Sequence, residues 1–166
     1  MEAPSRLLIG ILVLAMAAPA TAASKEVLAE FFTSNGAYFK LNAKNDTLEV
    51  CSDLCEYYEM KSGASAEAWD TVFLHQYYFV APNYREEFRE RYASEAKALV
   101  EKYAKLCPNA SAERVPSCVL KQLGARNRVE FASVRYDEGY RCQVAGRLTE
   151  PTYQGKSTCT KVKHAS

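Results

Sequence analysis

The chain has 166 residues, 48% of them hydrophobic and 25% charged, which is the composition of an ordinary globular protein and excludes a disordered, collagenous or multi-span membrane chain. Lys and Arg number 21 against 20 Asp and Glu, and a net charge of +1 excludes the bulk positive surface of a dedicated nucleic-acid binder. Six cysteines and 11 tyrosines are the unusual counts.

Residues 1–23 read as an export signal that is cleaved. Arg6 precedes an apolar run from Leu7 to Ala18, and Ala20 and Ala22 fit the small-x-small cleavage pattern. That run is too short for a bilayer of ~30 Å, so no transmembrane helix is expected after its removal. The expected destination is secreted or periplasmic, and the alanine-rich ending resembles a bacterial periplasmic signal. Residues 24–166 are then expected to form one α+β domain.

Ser24 is placed to cap a short helix whose Val27, Leu28, Phe31 and Phe32 share one face, and Ser34, Asn35 and Gly36 end it. Alternation of Phe39 and Leu41 with Tyr38, Lys40 and Asn42, and of Leu48 and Val50 with Thr47 and Glu49, predicts a hairpin turning through 43–46. A third strand over 55–60 would set Cys51 opposite Cys55; a helical turn through 51–55 competes with it. In that strand the doublet Tyr57-Tyr58 sends one ring inward and one outward. The outward ring is a candidate for ligand contact, because tyrosine offers a rigid aromatic face with a hydroxyl handle.

Ser65 with Glu67 predicts a helix to Ala81, stopped by Pro82. Trp69 to Val80 is apolar on nearly every face and should be the central buried helix. Asn83 with Glu86 resembles a capping box for one long amphipathic helix, in which Tyr84, Phe88, Tyr92, Ala96, Leu99, Tyr103 and Leu106 recur at three- and four-residue spacing. Pro108 ends it, and a short helix from Pro116 to Leu123 is closed by Gly124. The tail returns to strands over 129–136 and 140–146, joined by a three-residue turn, Asp137-Glu138-Gly139, with Gly139 left-handed. That register sets Val134 against Cys142, Ala132 against Val144 and Arg135 against Arg141. A last strand over 156–163 brings Cys159 to Cys142.

Six cysteines in an exported chain predict three disulfides. Of the fifteen connectivities, the local pairing of Cys51 with Cys55, Cys107 with Cys118 and Cys142 with Cys159 agrees with these elements. The spacings do not suit zinc, and the only histidines are His75 and His164, so no metal is expected. The predicted fold is therefore α+β: a small antiparallel sheet, or sheets, packed against a central apolar helix and a long amphipathic helix, braced by disulfides.

No nucleophile elbow, zinc-protease, phosphate-loop or dinucleotide motif is present, and no cofactor is implied. His75 in its apolar helix reads as a satisfied core histidine rather than a general base, and His164 as solvated. Glu86, Glu87 and Glu90, beside Arg85, Arg89 and Arg91, are explained by the helix dipole and i to i+4 pairing. Charge is uneven, however: residues 24–112 hold 10 basic and 14 acidic side chains, residues 113–166 hold 10 and 5. The predicted register places Arg135 across from Arg141, near Gln143 and Arg147, at a cost that something must offset. Asn45-Asp46-Thr47 and Asn109-Ala110-Ser111 match the N-glycosylation pattern, which matters only in a eukaryotic secretory route.

These features lead to the expectation of a small exported binding protein, an inhibitor, immunity-like or envelope-associated one. Its basic strand face would use Arg135, Arg141, Arg147 and Gln143 with Tyr57 or Tyr58 to meet a protein or an anionic ligand, with no nucleic acid involved. The alternative is an exported hydrolase using carboxylates and His75.

Overall fold

A computed structural model describes residues 23–149 and 157–163. The expected export segment up to residue 22, Lys156 at the start of the expected last strand, and His164 lie outside the described residues. Six strands form one antiparallel sheet in the order β1-β2-β3-β4-β5-β6, so each pairs with its neighbours in sequence. They are β1 (Tyr38–Asn42), β2 (Thr47–Cys51), β3 (Cys55–Met60), β4 (Val129–Asp137), β5 (Tyr140–Arg147) and β6 (Thr158–Lys161). A helix, α1 (Ala23–Ser34), precedes the sheet. Between β3 and β4 run α2 (Ala66–His75), a π-helical turn (Gln76–Val80), α3 (Ala81–Tyr84), α4 (Glu86–Arg91), α5 (Ala93–Tyr103) and α6 (Val115–Asn127).

The period-two pattern sends Leu48, Val50, Tyr58, Met60, Val129 and Phe131 to one face of the sheet, where they share a core with Leu28, Phe32, Val72, Phe73 and Leu123 of the helices. As predicted, α2 is buried nearly all round, from Ala68 to His75, and Ser65 caps it by accepting from Ala68 N at 3.1 Å. The three disulfides are the predicted ones, Cys51–Cys55, Cys107–Cys118 and Cys142–Cys159, and no cysteine is free. Direct pairing of Cys51 with Cys55 across β2 and β3 rules out the competing helical turn.

Several expectations are corrected. The β4–β5 turn has two residues, Glu138 (φ 44) and Gly139 (φ 83), and Asp137 pairs with Tyr140 as part of the ladder. Two left-handed residues match the twist of the flanking strands, so this tight turn displaces the three-residue one. The register therefore shifts by one: Arg135 faces Cys142, Tyr136 faces Arg141 and Val134 faces Gln143. Arg135 and Arg141 stand on opposite faces of the sheet, so the expected like-charge pair does not exist.

The expected single helix over 83–106 breaks at Arg85 (φ −141, ψ 61) and Tyr92 (φ −112, ψ 22). Asn83 lies inside α3, and Pro82 occupies that helix's first turn, where its missing N–H costs nothing. Ser24 lies within α1, where its Oγ donates to Asp70 Oδ1 at 2.7 Å instead of capping. Gly124 sits mid-helix in α6, because a Cβ there would come within 2.9 Å of Leu148 Cβ; the left-handed Arg128 (φ 50) ends that helix.

Candidate functional site

All the helices stack on one side of the sheet, and among the described residues the other side carries none. Pairing aligns its outward side chains in rows across the strands. Lys40, Glu49, Tyr57, Ala132 and Ala145 form one row; Asn42, Thr47, Glu59, Glu130 and Arg147 form the next. Because Ala132 and Ala145 lack bulk while Tyr57, Glu49, Lys40 and Arg147 around them are long, the two rows enclose a hollow of about 670 Å³. That volume falls in the ~300–1,000 Å³ range of small-ligand sites.

The walls of the hollow are held in place. The Tyr38 hydroxyl donates to Glu49 Oε1, and the Tyr57 hydroxyl stands beside the same carboxylate. That hydrogen bond, with burial, pushes the Tyr38 phenol up to about 12; burial first and Glu49 second raise that of Tyr57. At the other end Lys61 Nζ bridges Glu59 Oε1 at 2.8 Å and Glu130 Oε2 at 3.4 Å, and these two carboxylates are cross-strand partners. Glu130 also faces Arg147 directly across β4 and β5, as Lys40 faces Glu49 across β1 and β2.

Of the sequence-predicted site residues, Tyr57, Gln143, Arg141 and Arg147 share this open face, with Arg141 Nη1 donating to Gln143 Oε1 at 3.1 Å. Tyr57 is the exposed member of its doublet at 39%, and Tyr58 is the buried one at 1%. The Tyr58 ring points into the core, with its hydroxyl 2.9 Å from His75 Nδ1. Arg135 is on the helix side, where it forms an ion pair with Asp137 at 2.7 Å and lines a separate cavity of about 320 Å³ beside Glu56 and the Cys142–Cys159 bridge.

A buried polar relay lies beneath the sheet. Arg85, 4% exposed, donates from Nη2 to Glu56 Oε2 at 2.8 Å and to the Leu54 carbonyl at 2.9 Å, and from Nη1 to Gln76 Oε1 at 3.0 Å. Gln76 Nε2 donates to the Tyr58 hydroxyl at 2.7 Å, which lies 2.9 Å from His75 Nδ1. Arginine is donor-only, so every later orientation follows: the Gln76 amide is fixed, Tyr58 donates onward, and His75 accepts at Nδ1 and carries its hydrogen on Nε2. Burial pulls His75 down to about 3, so the ring is neutral at physiological pH. Burial also pushes the Glu56 carboxyl up, with the Arg85 guanidinium opposing the shift. Sequence reasoning placed Arg85 among surface helix pairs and missed this network. The one signal for it was the two polar residues, His75 and Gln76, inside an otherwise apolar helix.

Among the described residues no group of three or more His, Cys, Asp or Glu side chains converges to hold a metal ion. Nor is any helix among them long and apolar enough to cross a membrane. Comparison with protein-family models, with curated proteins and with solved structures finds no match to the chain.

Proposed function

We propose that the chain is an exported binding protein that takes its ligand in the hollow on the open face of the sheet. The observation that carries this reading is the hollow itself: a recess of about 670 Å³ with an alanine floor, next to a half-exposed tyrosine and ringed by charges of both signs. Three disulfides suit an oxidising destination and support export. The site is narrower than the basic face expected from sequence. It keeps Tyr57 and Arg147, has Gln143 and Arg141 on its margin, and loses Arg135 and Tyr58.

The hydrolase reading loses support at His75, whose neutral ring is fully buried with Nδ1 engaged by Tyr58, at the inner wall of a helix-side cavity of about 450 Å³. One observation still favours it, the cross-strand pair Glu59 and Glu130 in the wall of the hollow. Those carboxylates have the same exposure, 46% each, and the same ammonium partner, whereas an acid–base pair needs two environments that differ.

The test of the binding reading is a fragment screen followed by amide chemical shifts of the ¹⁵N-labelled, disulfide-bonded protein. Hits should perturb residues 47–49, 57–59, 130–132 and 145–147 together. A map centred on the helix-side cavities, or one scattered over the surface, overturns it.

A further inference from the structure

Resting on that reading of the hollow, we infer that its ligand is a neutral carbohydrate, a short oligosaccharide lying with one ring against Tyr57 over Ala132 and Ala145. Four features of the site lead to this class and away from others.

Charge comes first. The hollow presents Lys40 and Arg147 against Glu49, Glu59 and Glu130, and Lys61 joins the last two, so three cations meet three anions. The opposite signs sit side by side, Lys40 by Glu49 and Arg147 by Glu130. Such a ring attracts no net charge, which turns the expectation of an anionic ligand into that of a neutral one.

Polarity comes next. A purely apolar ligand would strip water from these charged groups and return no hydrogen bonds, at a cost of kilocalories per group. A ligand of vicinal hydroxyls both donates and accepts, so it can meet carboxylate, ammonium and guanidinium at once.

Shape is the third feature. Tyr57, Ala132 and Ala145 are successive cross-strand neighbours, and two strand spacings give a shelf of about 10 Å beside the ring. A shelf next to an aromatic side chain suits a ring with an apolar C–H face, and Tyr57 is steadied for it by Glu49, which also holds Tyr38.

The fourth feature disfavours an extended peptide across the floor. Peptides that dock on sheets gain affinity from main-chain hydrogen bonds to an open edge. Most of the hollow lies on β2, β3 and β4, strands paired on both sides, whose backbone groups are already in the ladder; β5 pairs with β6 only from Tyr140 to Gln143, so among the described residues Ala145, Gly146 and Arg147 at the rim are paired with β4 alone.

The experiment is a printed array of neutral, sialylated and sulfated glycans probed with the disulfide-bonded protein and with two variants. Tyr57→Ala removes the platform; Ala145→Tyr fills the floor from an exposed position. Binding should fall on neutral glycans, persist within about twofold from 0.05 to 0.5 M NaCl, and drop at least tenfold in both variants while their melting temperatures fall by no more than about 5 °C. Three results overturn the inference: no glycan is bound, binding is confined to sialylated or sulfated glycans and lost in salt, or neutral-glycan binding survives both variants. The fragment map separates the two levels: fragments in the hollow with a blank array sink the carbohydrate and leave the site standing.

Discussion

His75 illustrates how burial, rather than residue type, decides what a titratable group does. Its ring is fully buried between Tyr58, Phe79 and Phe131, with centroid distances of 5.7, 5.8 and 4.4 Å, and its protonation is pushed down to about pH 3. The unfolded chain, with an ordinary histidine near 6.5, binds that proton more readily, so stability falls as pH drops through the window from about 6.5 to about 3. The loss is at most about 1.4 kcal/mol per pH unit. Glu56 works the other way: its raised carboxyl regains stability on acidification, but it does so with or without His75. Comparison with His75→Gln cancels that common part. In urea unfolding, the wild-type protein should lose up to about 2.7 kcal/mol more than His75→Gln between pH 6.5 and 4.5. Parallel profiles would show that the ring meets solvent. The sequence marked His75 as a core residue from its apolar neighbours alone. It could not reveal Arg85 and Glu56 as its distant supports, because a buried ion pair made across 29 residues leaves no periodicity.

At the scale of elements, the strands and disulfides were legible and the joints between elements were not. Alternation located β1, β2 and β3 to the residue, since one face of β2 and β3 is buried and that of β1 partly so, and a slip would turn that face to water. In the β4–β5 hairpin the outer half is exposed, so burial did not fix the register and the turn did. The shift has a measurable consequence. Arg135→Gln and Arg141→Gln, on opposite faces, should show a coupling energy within about 0.5 kcal/mol of zero in a double-mutant cycle of thermal unfolding; a clearly unfavourable coupling between the two arginines would restore the like-charge pair. Gly124 is the second joint that sequence misread. Alanine there gains about 1 kcal/mol of helix propensity, but its Cβ would lie 2.9 Å from Leu148 Cβ and 3.2 Å from the Leu148 carbonyl carbon. Backbone cannot yield as a side-chain tip does, and overpacking costs about 1–3 kcal/mol. Gly124→Ala should therefore destabilise in urea unfolding, and stabilisation would mean that α6 and the end of β5 are farther apart.

For the whole molecule, the helices among the described residues lie on one side of a single sheet, which divides the packed core from the open face. The α+β class and the central helix followed from the order of periodic segments. The open face did not, because the same alternation fits a sheet covered on both sides once the polar side is half-buried. The division predicts a sharp contrast between two aromatic residues. Phe73 is wholly buried and touches Tyr77, Phe88 and Tyr92, so Phe73→Ala should cost ~3–5 kcal/mol. Tyr57 stands on the face that carries no helix among the described residues, with 39% of its surface in water, so Tyr57→Ala should cost about 1 kcal/mol or less. Both are measured by urea unfolding of the oxidised protein, at an unchanged dependence on denaturant. A loss for Tyr57→Ala comparable to that for Phe73→Ala would mean that the ring is packed under something in the folded protein. The hollow would then be closed to a ligand, and the binding reading would fall with it.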